Sequence, residues 1–290
     1  MIIDAQVHAY ERNHPTRPWV NTLHGPAEMT GDQMIAAMDE AGVDAAVIVS
    51  SWVIYRDDAS YAVEVRNDHP GRFALVKPLN PVDPAVDETV ADWARTPGAV
   101  AVRVLSIPAH MIPAMAHIFP VASDDPIKGI GPMFAAATRH SIPINYTCIG
   151  CVDQAATIAK AYPDCQIVID HLGLKQPYEP PVPEDALDDL PAVLALAKLP
   201  NIAIKASGLC TLSREPYPFN DIWEPLVRTI DAFGIDRVMW GTDWTRALSM
   251  VGYKESVDAF RFADRLSESD RAALLGGTLQ KIYDWKPVIG

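Results

Sequence analysis

Three stretches of this 290-residue chain finish an apolar run in a group that can ionise. Along Ile2–His8, strand alternation places Asp4, Gln6 and His8 on one face and Ile3, Ala5 and Val7 on the other. Along Gln166–Gly173, His171 stands immediately past the run and in phase with Ile167 and Ile169. Along Arg237–Trp244, Asp243 stands just beyond the apolar residues. An apolar strand has no structural need to end in an imidazole or a carboxylate. Two histidines and an aspartate gathered at one end of a sheet form a metal site or a general acid–base group.

Arg103 interrupts the apolar run Val100–Leu105. A guanidinium there needs a carboxylate, because burying the bare charge is costly. That carboxylate belongs either to Asp4 or Asp170 or to a small acidic substrate, which arginine's planar fork suits. Lys205, inside Ile202–Ala206, reads as a structural ion pair, and Lys77 reads the same way. Gln6 on the first run, Asn145, Tyr146 and Thr147 at the end of another, Ser51 and Trp52 after a third, and Trp244 are placed to line a pocket and contact substrate; His24, in the long segment after the first run, is placed to reach it. Cys148-Ile149-Gly150-Cys151 precedes a helix, as a redox motif does, but it belongs to the fifth unit of eight rather than to the start of a small domain.

Eight short apolar runs must position these groups: Ile2–Val7, Asp44–Val49, Phe73–Val76, Val100–Leu105, Ile142–Tyr146, Gln166–Asp170, Ile202–Ala206 and Arg237–Trp240. Each is followed by a segment with helical spacing. In Asp32–Ala41, Met34, Met38 and Ala41 share a face, Thr30 and Gln33 form a capping box, and Gly42 ends the helix. The pattern predicts one (β/α)8 TIM barrel, class α/β, a single domain over residues 1–290, with a doubly wound sheet as the alternative. Long segments at 9–29, 106–131 and 172–190 follow strands, so they fall on the face where a barrel carries its active site.

A hydrophobic content of 49% excludes a disordered chain. With 24 basic and 37 acidic residues the net charge is −13, which disfavours nucleic acid and anionic membranes as partners. The opening residues lack a secretory signal pattern, no apolar run is long enough to span a bilayer, and the expectation is a cytoplasmic protein. Assembly into a homo-oligomer is left open.

Ile3–His8, Ile169–Gly173, Trp240–Trp244 and Gly276–Tyr283 together resemble the amidohydrolase superfamily, specifically the "amidohydrolase 2" group of TIM-barrel hydrolases. That group includes sugar-acid lactonases, pyrone-dicarboxylate lactonase-like enzymes and decarboxylases. The resemblance makes His8 the second histidine of a His-x-His motif, His171 the histidine of the sixth strand and Asp243 the aspartate of the eighth. Gln6 departs from it by replacing the first histidine with a poor metal ligand. Strand 5 departs as well, offering Asn145, Tyr146 and Thr147 where binuclear members carry a bridging ligand, so a binuclear site is not expected. Two states stay open: no metal, or one divalent ion, Zn²⁺ or Mn²⁺, at His8, His171 and Asp243.

The resemblance implies hydrolysis of a lactone or similar cyclic ester of a small carboxylated compound. Asp243 would activate water, His171 and His8 would activate the carbonyl, and Arg103 would hold the substrate's carboxylate. The alternative is a metal-dependent decarboxylase of an aromatic or unsaturated acid. A third reading, a barrel that only binds its ligand, rests on Gln6.

Overall fold

The structure is a computed structural model that describes residues 1–21, 25–108 and 125–288. Eight strands form one parallel sheet in chain order: β1 (Ile3–Val7), β2 (Ala45–Val49), β3 (Phe73–Pro78), β4 (Ala99–Leu105), β5 (Ile144–Thr147), β6 (Ile167–Ile169), β7 (Ile202–Ser207) and β8 (Val238–Gly241). Helices lie between them, and β1 meets β8, so the sheet closes into a (β/α)8 barrel rather than an open doubly wound sheet. The first helix, Gly31–Ala41, starts at the Thr30–Gln33 capping box and ends on Gly42 in the left-handed region, as its sequence predicts. Among the described residues no helix is long and apolar enough to cross a membrane.

Small and branched side chains, among them Ala5, Val47, Ala74, Val76, Ala101, Val168 and Ala203, fill the barrel interior together with Met239. Outward-facing residues such as Ile48, Leu75, Val102, Tyr146 and Trp240 pack against the helices. This leaves the upper strand ends free for polar side chains pointing inward.

One sequence expectation fails on β1. The strand's register shifts between Asp4 and Val7, so Asp4 does not share a face with Gln6 and His8. The irregularity inserts a step into the alternation. Asp4 turns to the seam with β8, where its carboxylate accepts hydrogen bonds from the Thr242 N–H (2.8 Å) and the Thr242 hydroxyl (2.5 Å). The Asp243 N–H donates to the Gln6 carbonyl at 2.9 Å beside it.

Burial pushes the Asp4 carboxyl up from 3.8 to about 6, against the hydrogen bonds that lower it. The folded protein therefore holds a proton there that the unfolded chain releases, and stability falls as pH rises from about 4 to about 6. The loss is on the order of 3 kcal/mol. Asp4→Asn is expected to flatten that slope in urea unfolding, because an amide keeps the acceptor and supplies the proton. At pH 8 the variant should match or exceed the parent, and an unchanged slope would count against this account.

Candidate active site

The upper ends of the strands and the loops beyond them enclose a cavity of about 280 Å³. His8, Arg103, Thr147, His171 and Asp243 line it, as do Ser51 and Trp52. Both His171 (φ 57°) and Asp243 (φ 49°), each the second residue past its strand, β6 and β8, have left-handed backbone. That conformation is uncommon outside glycine, and such strain clusters at functional sites. Here it bends the chain sharply, so that each side chain turns into the barrel mouth.

The three groups meet. His8 Nε2 lies 3.3 Å from Asp243 Oδ1, and His171 Nδ1 lies 3.6 Å from Asp243 Oδ2. His8 Nδ1 is 2.6 Å from the Val49 carbonyl and must carry a hydrogen, which leaves Nε2 to face the carboxylate. Burial alone would raise the Asp243 carboxyl, but the Arg246 guanidinium, His171 and His8 outweigh it and hold it well below the usual carboxylate range. Burial pushes His171 down to about 4, with Arg103 acting in the same direction against the pull of Asp243 and Asp170, so its ring is neutral near pH 7. Its nitrogens are engaged: Arg103 Nη2 lies 3.2 Å from Nε2, and Ser207 Oγ lies 3.1 Å from Nδ1.

Beneath this layer lies a buried network. Arg103 Nε donates to Asp170 Oδ2 at 2.7 Å, Thr147 donates to the same oxygen at 3.0 Å, and Lys205 Nζ is 3.3 Å from Asp170 Oδ1. Lys205 also donates to Gln6 Oε1 at 2.8 Å. Burial would raise Asp170, yet Lys205 and Arg103 prevail and lower it. Burial lowers Lys205, against the pull of Asp170. Arg103 thus has the internal partner Asp170 and still lines the cavity, with no protein acceptor for Nη1 among the described residues.

Four expected pocket residues are not on the cavity wall. Gln6 is fully buried and held by Lys205. Asn145 lies lower, accepting from the Tyr283 hydroxyl at 2.7 Å. Alternation on β5 turns Tyr146 outward, against Phe134 at 5.6 Å between ring centroids. Trp244 packs on Tyr253 at 5.0 Å, carried away from the mouth by the bend at Asp243. Lys77 pairs with the Trp93 ring at 5.8 Å rather than with a carboxylate. His24 lies outside the described residues. All four cysteines are buried and unpaired, and burial pushes the Cys151 thiol up to about 11, so the Cys-x-x-Cys segment is no reactive thiolate.

The sequence reading overlooked Lys175, Gln176, Tyr178 and Arg246, which complete the wall. The first three come from the long segment 172–190 after β6, which was expected on the active-site face but whose residue types singled none of them out. Arg246, three residues past Asp243, carried a signal that was available: a cation one turn beyond a buried carboxylate.

Whether these side chains suit a metal is decided by their free lone pairs. Arg246 Nε donates to Asp243 Oδ2 at 2.5 Å, and Arg103 Nη2 occupies His171 Nε2. His8 Nε2 and Asp243 Oδ1 remain, one fewer than the three protein donors of a catalytic zinc site. Among the described residues no group of three such side chains is arranged to hold an ion. As arranged, with two guanidinium groups on the would-be ligands, the site does not fit a resident divalent ion.

A parallel barrel with ionisable groups at its strand ends is the build of a barrel hydrolase. The chain belongs to the amidohydrolase family, whose model matches residues 3–285. It is 26% identical to the L-fucono-1,5-lactonase of Burkholderia multivorans over 297 aligned positions, 97% of this chain and 95% of that protein. Among solved structures it resembles an amidohydrolase from Burkholderia multivorans with bound Zn (23% identity, TM-score 0.73, 98% and 99% of the two chains). It also resembles 2,6-dihydroxybenzoate decarboxylase from Rhizobium (14% identity, TM-score 0.65, 98% and 99%). At these identities the two structures show the fold.

Proposed function

We propose that this hydrolase opens a small lactone bearing an anionic group, with water activated between Asp243 and His8. The observation that carries this reading is Asp243 Oδ1: buried, without a hydrogen-bond donor among the described residues, and 3.3 Å from His8 Nε2. With Nδ1 committed to the Val49 carbonyl, a neutral His8 turns its Nε2 lone pair toward this oxygen, and a water above the two atoms offers an O–H group to each. The carboxylate, made a weak base by Arg246, orients the water, and the imidazole lone pair takes the proton. His8 then returns the proton to the departing alkoxide.

Carbonyl activation passes from His171, whose nitrogens are engaged, to the Arg103 guanidinium, whose Nη1 has no acceptor among the described residues. Lys175 forms no ion pair among the described residues and meets the substrate's anionic group. A lactone suits this equipment because its carbonyl is reactive and its leaving group is an alkoxide. Likeness to a lactonase along almost the whole chain supports the reading. Decarboxylation calls for a metal-held carboxylate, and two of the atoms that would hold the ion, His171 Nε2 and Asp243 Oδ2, are engaged by Arg103 and Arg246.

A panel of carboxylated and sugar-acid lactones, followed by acid release, tests this. Hydrolysis of at least one, with kcat/KM above about 10⁴ M⁻¹ s⁻¹, is expected; carbon dioxide release from an aromatic acid, with every lactone intact, would overturn it. Dialysis against a chelator should leave the rate unchanged. Loss of activity that Zn²⁺ or Mn²⁺ restores would show that the two arginines give way to a metal.

A further inference from the structure

We propose that Arg246 is a positioning residue that ties the aim of Asp243 to the wall formed by residues 176–178. This rests on the reading of Asp243 given above. One guanidinium makes every contact: Nε to Asp243 Oδ2 (2.5 Å), Nη1 to the Pro177 carbonyl (2.7 Å) and Nη2 to Gln176 Oε1 (2.8 Å). Its Cζ stands over the Tyr178 ring, 5.0 Å from the centroid, and Nη2 also reaches Thr211 Oγ1 at 3.5 Å. Gln176 is in turn fixed to the body of the barrel, where its amide donates to the Ser207 carbonyl at 2.7 Å.

Occupying Oδ2 leaves Oδ1 as the oxygen free to face His8, so the arginine decides which edge of the carboxylate addresses water. The same fork holds Pro177 and Tyr178 against the cavity. A lysine's single nitrogen lacks the planar fork that reaches the carboxylate, the Pro177 carbonyl and Gln176 Oε1 in fixed directions, so charge without the fork preserves only part of the arrangement. The wall and the water-activating group are therefore one mechanical unit, and a substrate that displaces Tyr178 also disturbs Asp243.

The test compares Arg246→Ala, Arg246→Lys and Gln176→Leu with the parent. For Arg246→Ala, kcat should fall about 100-fold with a raised KM, and guanidinium or methylguanidinium at tens of millimolar should restore part of kcat. Arg246→Lys should keep more of kcat than the alanine variant while KM stays raised. Gln176→Leu should raise KM with kcat within about threefold, since only the wall side is lost.

Hydrogen exchange over residues 174–180, measured without substrate, should quicken in both Arg246 variants. Unchanged exchange and unchanged kinetics in Arg246→Ala would overturn the proposal. Should the parent hydrolyse no lactone, the lactonase reading fails on its own while exchange still decides whether Arg246 holds the wall.

Discussion

Replacing Asp243 with asparagine is expected to lower kcat by about 10³-fold or more on any lactone the parent hydrolyses. The substitution changes almost no volume, and the amide oxygen can keep the Arg246 hydrogen bond. The NH₂ group then points at His8 Nε2, 3.3 Å from the atom it replaces, and donates to the lone pair that should receive water's proton. The variant thus loses the carboxylate and also fills the place of the water with a hydrogen bond inside the protein. Circular dichroism should match the parent, and KM should change little, because the residues that hold the substrate are untouched. A variant retaining activity within threefold of the parent would remove Asp243 from the reaction.

Asp170→Asn is expected to be the most destabilising of the substitutions considered, at about 3–5 kcal/mol in urea unfolding at pH 7. The carboxylate is fully buried, Arg103 and Lys205 both face it, and among the described residues no other carboxylate lies within ion-pair distance of either. Neutralising it leaves two cations in a low-dielectric interior, which costs far more than a lost hydrogen bond. Adding Lys205→Met should recover part of the loss by removing one of them. Equal stability of the single variant and the parent would show that water reaches this layer.

The barrel was legible because βα repetition is written in periods of 2 and 3.6 residues, and eight repeats leave little freedom in how a parallel sheet closes. His8, His171 and Asp243 were legible for a related reason: each is a polar group at the end of an apolar run. What alternation could not supply was an irregularity within a strand. The shift on β1 sends Asp4 to the seam, while Gln6 and His8 stay on the inside. Depth was also invisible, since period two tells inward from outward but not one layer from the next; Asn145 faces in and still lies under the cavity. Arg246 and Tyr178 meet only because two loops cross, and a contact between residues 68 positions apart leaves no local trace.

The pairing of Asp4 with Thr242 joins residues 238 positions apart, and His8 meets Asp243 across nearly the same span. A ribosome releases the first strand long before the eighth exists. Until then β1 presents an open edge, and the groups that would activate water sit on separate ends of an unfinished ring. Closing this ring is a late, long-range event with a large loop to order. On the reading proposed for the site, the stitch that completes the sheet is also the one that brings Asp243 to His8, so a chain cut short before its eighth strand would carry neither.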